Sequence, residues 1–531
     1  MASQSTRDRT LSERTVPERT LLSAGSLWQL LELRVASDPD ATFLIEAATD
    51  NRMSFGQFHR RALALASWLQ DQGIHPGSVV AWQLPTSIAA VTLGFALARL
   101  GAIQAPVIHL YREKELVEIL AQARAEVLIL PPGSGEYLAM AGSAVAALPA
   151  AVPRPRALPL EEPGGDSLRL PPLTVSADGD AVRWYYFTSG TTARPKGARH
   201  TDRTLMAGSH FLGASLAVND RDLGSIGYPI GHIGGILYCA MAIMAGMPVV
   251  LLHRYVPTEV VAAFRRHGVT LGGGSTAHYQ MLLAEQASSG DTLIPSLQVL
   301  AGGGAAKPAA LFAQVRSRLG ATIVHAYGMT EAPISSHNPR HGSDDQLTHS
   351  DGRPMPGLEV RIVDGAGRPV AAGESGEILL RGPNVCKGYL DQRQTADAFD
   401  AEGFYHTGDI GLLRPDGHLC VTGRLKDIII RKGENISARE VEELLLTHPK
   451  VRDAAVIGLP DEERGELVCA VVEPLDPADP LTFDEMAEHL AAHKLMRQKI
   501  PERLEILVRL PRNEGLQKVV KTKLQALYAG K

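Results

Sequence analysis

Ten residues, Thr188–Gly197, read TSGTTARPKG and hold four Ser/Thr hydroxyls, two glycines and one lysine directly after the apolar run Trp184-Tyr185-Tyr186-Phe187. That inventory suits the binding of phosphate. Glycine lets backbone N–H groups turn inward, hydroxyls add neutral donors, and a lysine brings a mobile positive charge. Thr188, Ser189, Gly190, Thr191, Thr192 and Lys196 are therefore candidate contacts for a nucleotide polyphosphate. The loop departs from the common GxxxxGK[ST] pattern, which needs a hydroxyl right after the lysine where this chain has Gly197. A solvated turn between strands has the same composition, so neighbouring motifs must decide between the two readings.

The elements around the loop point to an α/β architecture. Runs at Val79–Leu84, Gln104–Ile108 and Val127–Leu130 alternate with helical stretches at Ser87–Leu100 and Glu113–Ala123, the mark of βαβ units and parallel sheet. A chain of 531 residues is too long for one core and is expected to form about two to four domains. The expected division is a disordered tail at 1–20, a large domain of parallel-rich sheets and helices at 21–424, and a small mobile α+β domain at 425–531. The small domain reads as strand Asp427–Ile430, helix Ala438–Thr447 and strand Ala454–Leu459.

Composition excludes several classes of function. Hydrophobic content of 45% and charged content of 21% are those of a soluble globular protein. A formal charge of −5 argues against nucleic acid as a partner, and Lys518, Lys521 and Lys523 are too few to reverse it. Cys239, Cys386, Cys420 and Cys469 lack CxxC spacing, so neither a disulfide framework nor a zinc site is indicated and a cytoplasmic location is expected. The run Ile233–Leu252 carries no charge, but Gly246 and Pro248 break it into a buried helix and a buried strand rather than a membrane span. His337 and His341 flank Pro339, which precludes a helix, and are expected in a surface loop. GGDSL at Gly164–Leu168 sits among prolines and does not fit a carrier-protein serine.

Further motifs follow in order: YPIGHIGG (Tyr228–Gly235), AGGGAAKP (Ala301–Pro308), YGMTE (Tyr327–Glu331), GEILLRGPNVCKGY (Gly376–Tyr389), YHTGD (Tyr405–Asp409), GRLKD (Gly423–Asp427) and RKGENISAREVE (Arg431–Glu442). The ordered set resembles the adenylate-forming superfamily of acyl-CoA synthetases, nonribosomal adenylation domains and luciferases, from about Leu27 to Leu524. The resemblance implies two steps: a carboxylate attacks the α-phosphate of ATP to give acyl-AMP, and a thiol, usually that of coenzyme A, displaces AMP. Both reactants of the first step are anions, so fixed positive charge and donors must offset their repulsion.

Roles follow by resemblance. Thr188 to Thr192 with Lys196 hold the β- and γ-phosphates, Glu331 ligates Mg²⁺, and Thr330 contacts the α-phosphate. Tyr327, Gly303, Gly304 and Ala305 flank adenine, while Asp409 and Arg424 take the ribose hydroxyls. His232 stands between acyl pocket and pantetheine channel, Gly433 lines that channel, and Lys426 is the hinge. Ile233, Gly235, Gly273, Gly274, Gly302, Gly328 and Met329 surround the acyl group; so many missing side chains are expected to leave room for a bulky, mostly apolar acid.

One departure bears on the chemistry. The family ends in a pattern like PRNxxGKxxK, whose first lysine reaches between carboxylate and α-phosphate, whereas this chain reads PRNEGLQKVVK from Pro511 to Lys521. Gln517 occupies the lysine position and Lys518 arrives one residue late, a displacement of about 3.3 to 3.6 Å in extended chain. Either the loop bulges and restores Lys518, or adenylation fails and the protein only thioesterifies acyl-AMP from a separate adenylating enzyme. Two other readings are a domain that loads a carrier protein and a non-catalytic acyl-AMP binder. The first lacks the expected aspartate within Tyr228–Gly235, and the second has no need of a channel and hinge. Monomer and homodimer are both left open.

Overall fold

Short β-branched runs that are buried on both faces pair in parallel, because flanking helices cover both sides of the sheet. The computed structural model describes residues 23–161, 178–188, 194–304, 307–432, 434–513 and 517–529. The expected tail at 1–20 and the GGDSL stretch at 164–168 lie outside the described residues.

Three sheets build the large domain. The six-stranded sheet runs Arg156–Pro159, Val127–Leu130, Val79–Trp82, Ile103–Pro106, Val182–Thr188, Lys196–Thr201, parallel except for its last pair. The nine-stranded sheet runs Arg353–Pro354, Ser336–His337, Thr322–Tyr327, Val299–Gly303, Leu271–Gly274, Gly224–Ile226, Val249–Leu251, Thr42–Glu46, Arg52–Ser54. Its interior is parallel and its edges are antiparallel. The uncharged run after His232 resolves as expected into helix Ile233–Ala245 and strand Val249–Leu251. Gly246 ends that helix at φ 70°, a left-handed backbone that glycine adopts without a Cβ penalty. Among the described residues no helix is long and apolar enough to cross a membrane.

An antiparallel four-stranded sheet follows, Glu359–Val363, Gly376–Arg381, Tyr405–Leu413 and Leu419–Arg424. A single 3-10 turn, Leu425–Asp427, leads to the small domain. There, strands Glu434–Ser437, Ile428–Arg431, Gly465–Pro474 and Val451–Asp461 form a sheet, with Arg503–Ile506 paired to Gly465–Pro474. Ile429, Ile436, Val441, Leu445, Val456, Val468 and Met486 form a core of their own beneath helices Ala438–Leu445 and Phe483–Ala492.

One expectation is corrected. His337 is not on a surface loop: it lies in strand Ser336–His337, 1% exposed, because that strand closes the antiparallel edge beside Thr322–Tyr327. Burial pushes its imidazole down to about 4. His341, beyond Pro339, is exposed.

The strand that carries the phosphate loop is tied down by one carboxylate. Asp202, 3% exposed, accepts from Trp184 Nε1 at 2.7 Å and from the Leu27 amide at 3.0 Å. Asp202→Ala strands two buried donors and is expected to destabilise the large domain by about 2–5 kcal/mol, read as a lower denaturant midpoint by tryptophan fluorescence. An unchanged midpoint would refute this account of the anchor.

Candidate active site

Parallel strands present the ends of their backbones at their carboxyl edge, where ligands of open α/β sheets bind. Leu271–Gly274, Val299–Gly303 and Thr322–Tyr327 end at one cleft, which is also lined by Thr188, Lys196 and residues of the small domain.

Thr188 pairs with Lys196 across the hairpin that carries the TSGTTARPKG loop. Lys196 Nζ stands 5.3 Å from the Tyr389 ring centroid, a cation–π contact that holds the ammonium at the cleft. Ser189, Gly190, Thr191 and Thr192 lie outside the described residues, as do Ala305 and Gly433. Packing explains the glycine after the lysine: a Cβ on Gly197 would stand 2.6 Å from Leu390 Cδ1 and 2.9 Å from Phe187 Cε1.

Asp409 and Arg424 face each other across two adjacent strands, and Arg424 Nε reaches Asp409 Oδ1 at 2.6 Å. Tyr327 donates its hydroxyl to Asp409 Oδ2 at 2.9 Å. A carboxylate offers about four acceptor positions, so two remain for a diol. Tyr327 lines the cleft with Gly302, Gly303, Gly304, Gly328, Met329 and Thr330.

Glu331, 8% exposed, accepts from Tyr389 Oη at 2.6 Å, and Tyr389 lies 3.3 Å from Tyr405 Oη. Burial and the Glu331 charge hold the Tyr389 phenol far above its ordinary value, so it stays a donor. The loop from Gly328 to Ile334 is strained: Ile334 has φ 51°, a left-handed value rare for a β-branched residue. Asn384 Nδ2 holds it by donating to Pro333 O at 2.9 Å. His200 Nε2 donates to the Thr330 carbonyl at 2.7 Å, and burial keeps its imidazole neutral by lowering it to about 4. Tyr389, Asn384 and His200 are positioning residues that sequence reasoning missed. Tyr389 closes a recognised motif, but nothing local marks its hydroxyl or His200 as a partner of the YGMTE loop.

His232 caps helix Ile233–Ala245, its Nδ1 accepting from the Gly234 amide at 3.1 Å, which leaves the proton on Nε2. Burial, then the charge of Lys518, lowers it to about 4. His232, Ile233 and Gly274 line the cleft. Gly235 and Gly273 are not among the described residues that line the cleft. A Cβ on Gly235 would meet Ile230 O at 2.6 Å, and one on Gly273 would meet Ser225 O at 2.4 Å. At the wall itself, a Cβ on Gly302 would lie 1.7 Å from Gly274 O and one on Gly303 would lie 2.2 Å from Ala326 O. At Gly273, Gly302 and Gly303 the missing side chain answers to close strand approach.

Gln517 takes a left-handed backbone, φ 56°. Lys518 and Lys426 both line the cleft. Burial lowers the Lys518 ammonium to about 8, and the charges acting on it are those of Arg424, Asp409, Lys426 and Glu331.

Residues 31–390 match the AMP-binding enzyme family and residues 440–515 the AMP-binding enzyme C-terminal domain. The medium-chain fatty-acid–CoA ligase of Escherichia coli K12 is 31% identical over 88% of this chain and 85% of its own length. The feruloyl-CoA synthase of an Amycolatopsis species is 33% identical over 93% of this chain and 97% of its own. ATP-bound MatB from Rhodopseudomonas palustris superposes with a TM-score of 0.84 at 26% identity, covering 96% of this chain and 99% of that one; its apo form gives 0.76. With the ordered motifs and the cleft they line, these matches show that the chain belongs to the AMP-binding enzymes, in the acyl-CoA synthetase branch of the adenylate-forming superfamily, as an AMP-forming acid–thiol ligase.

Proposed function

We propose that this protein carries out both half-reactions, converting a bulky, mostly apolar monocarboxylic acid to its CoA thioester through acyl-AMP. The observation that carries the reading is Lys518 lining the same cleft as Thr330, Glu331, Asp409 and His232. An oxygen of the acid attacks the α-phosphorus of ATP and the bond to pyrophosphate breaks. Lys518 offsets the repulsion between the two anions, and Lys196 faces the leaving pyrophosphate. Among the described residues no group of three or more His, Cys, Asp or Glu is arranged to hold a metal. The single buried carboxylate of Glu331 fits Mg²⁺ carried mainly by phosphate oxygens, where the ion would neutralise charge.

In the second half-reaction the thiolate of coenzyme A attacks the acyl carbonyl and AMP departs. We assign the change between halves to rotation of the small domain about Lys426, which withdraws Lys518 and brings up the loop at Gly433. His232, neutral near pH 7, donates from Nε2 at the acyl end and adds no charge there. The better superposition on the ATP-bound form of MatB than on its apo form supports an arrangement poised for adenylation.

Lys518→Ala is expected to lower pyrophosphate release from acid and ATP by about 10²–10³-fold, as loss of one preorganised charge does, while thioester formation from synthetic acyl-AMP persists. The required form is the ammonium, lowered to about 8, so adenylation should decline as pH rises through that value. Lys518→Arg should abolish that decline. Equal loss in both half-reactions would reject the assignment.

The acyl wall supports an apolar substrate through the side chains that are present. Ile233, Leu237, Tyr238, Met329 and Ile334 line the cleft, and among the described residues its lining from Leu212 to Pro308 includes no Lys or Arg to meet a second carboxylate. In a panel of free acids, aryl and medium-chain monocarboxylates should exceed acetate and dicarboxylates in kcat/KM. Fastest turnover of acetate or of a dicarboxylate would overturn the substrate class.

A further inference from the structure

The neck of the closing loop carries a device that the chemistry above does not use. Arg512 and Val519 form an antiparallel bridge. Beyond it, the Asn513 amide donates to Lys518 O at 2.8 Å, and the Lys518 amide donates to Asn513 Oδ1 at 2.9 Å. Both main-chain polar groups of Lys518 are thus held by one residue. The Gln517 carbonyl accepts from Arg512 Nη1 at 2.7 Å, while Nη2 of the same guanidinium pairs with Asp453. Asp453 belongs to strand Val451–Asp461, the long strand of the small-domain sheet. Arg512 and Asp453 are largely buried, with side chains 20% and 17% exposed.

A guanidinium is planar and presents its donors at fixed angles, so it ties one group rigidly to another in a way that a flexible ammonium does not. Here it ties a strand of the core to the carbonyl just before Lys518. Gln517 stands where counting from Pro511 expects the lysine, and its left-handed backbone is one that a non-glycine residue holds only when its surroundings enforce it. We infer that Arg512, braced by Asp453, is a positioning residue for adenylation: it fixes the Gln517 carbonyl and so aims Lys518 into the cleft despite the longer loop. The inference rests on the reading that Lys518 serves the first half-reaction.

The test uses the full chain and three measurements: pyrophosphate release from acid and ATP, thioester formation from synthetic acyl-AMP with coenzyme A, and thermal melting. Misplacement of a reacting group by about 1 Å costs up to ~10²-fold, so Arg512→Ala should lower kcat for pyrophosphate release by about 10-fold or more. Its thioester formation should match that of the unaltered chain. Arg512→Lys keeps the charge beside Asp453 but lacks the fork and should fall between the two. Gln517→Gly accepts the left-handed backbone and should keep full activity, whereas Gln517→Val disfavours it and should reproduce the adenylation defect alone.

Parallel loss of both half-reactions with a lower melting temperature would make Arg512 structural and overturn the proposal. A raised KM for ATP with kcat retained would make it a ligand contact, with the same consequence. Full adenylation in Arg512→Ala would overturn it outright while leaving the two-step reading intact. An unaltered chain that thioesterifies acyl-AMP but releases no pyrophosphate would overturn both.

Discussion

The Asp409 carboxylate is the constraint on which the cleft depends. It is 2% exposed and accepts from Tyr327 at the end of the nine-stranded sheet and from Arg424 at the last residue before the interdomain turn. The nine-stranded and four-stranded sheets are therefore fixed relative to one another by one side chain. A buried carboxylate is costly unless charge-assisted hydrogen bonds satisfy it, and here both oxygens are used. The strand that carries Asp409 also carries Tyr405, which meets Tyr389 and through it Glu331. Asp409 and Glu331, on two sides of the cleft, are thus held from one strand.

Electrostatics in the cleft follow from burial acting differently on each type of group. Imidazoles at His200 and His232 lose their proton and become directional hydrogen-bonding groups, tied to backbone at Thr330 and Gly234. The ammonium of Lys518 is weakened but has Asp409 and Glu331 to oppose further loss. A site that joins two anions benefits from cations placed before the reactants arrive, because no reorganisation is then needed as charge shifts. The protein holds those cations on different elements: Lys196 on a hairpin, Arg424 on a sheet edge, Lys518 on a loop of the small domain.

Much of the fold was legible because its signals are local. Alternating short strands and helices between Val79 and Leu130 appear where their periodicity placed them. The uncharged run at Ile233–Leu252 divided where Gly246 and Pro248 required. The crowding of glycines was not legible in this way: Gly273, Gly302 and Gly303 are pressed against carbonyls of neighbouring strands. Which side of a glycine is crowded is decided by chains far away in sequence. His337 was misplaced for the same reason, since its burial comes from pairing with a strand that precedes it.

The sequence by itself determined the chemistry on offer: a hydroxyl-rich loop with Lys196, the acid at Glu331, the Asp409 and Arg424 pair, and their order along the chain. These are matters of residue type and spacing, which a linear text preserves. Tertiary structure decided reach and orientation. Counting residues displaces Lys518 by one position, whereas in the fold Lys518 lines the cleft and the carbonyl before it accepts from Arg512. His200 finds Thr330 across 130 residues and Tyr389 finds Glu331 across 58. Such contacts depend on how layers stack and where a loop bends, and no local pattern encodes them.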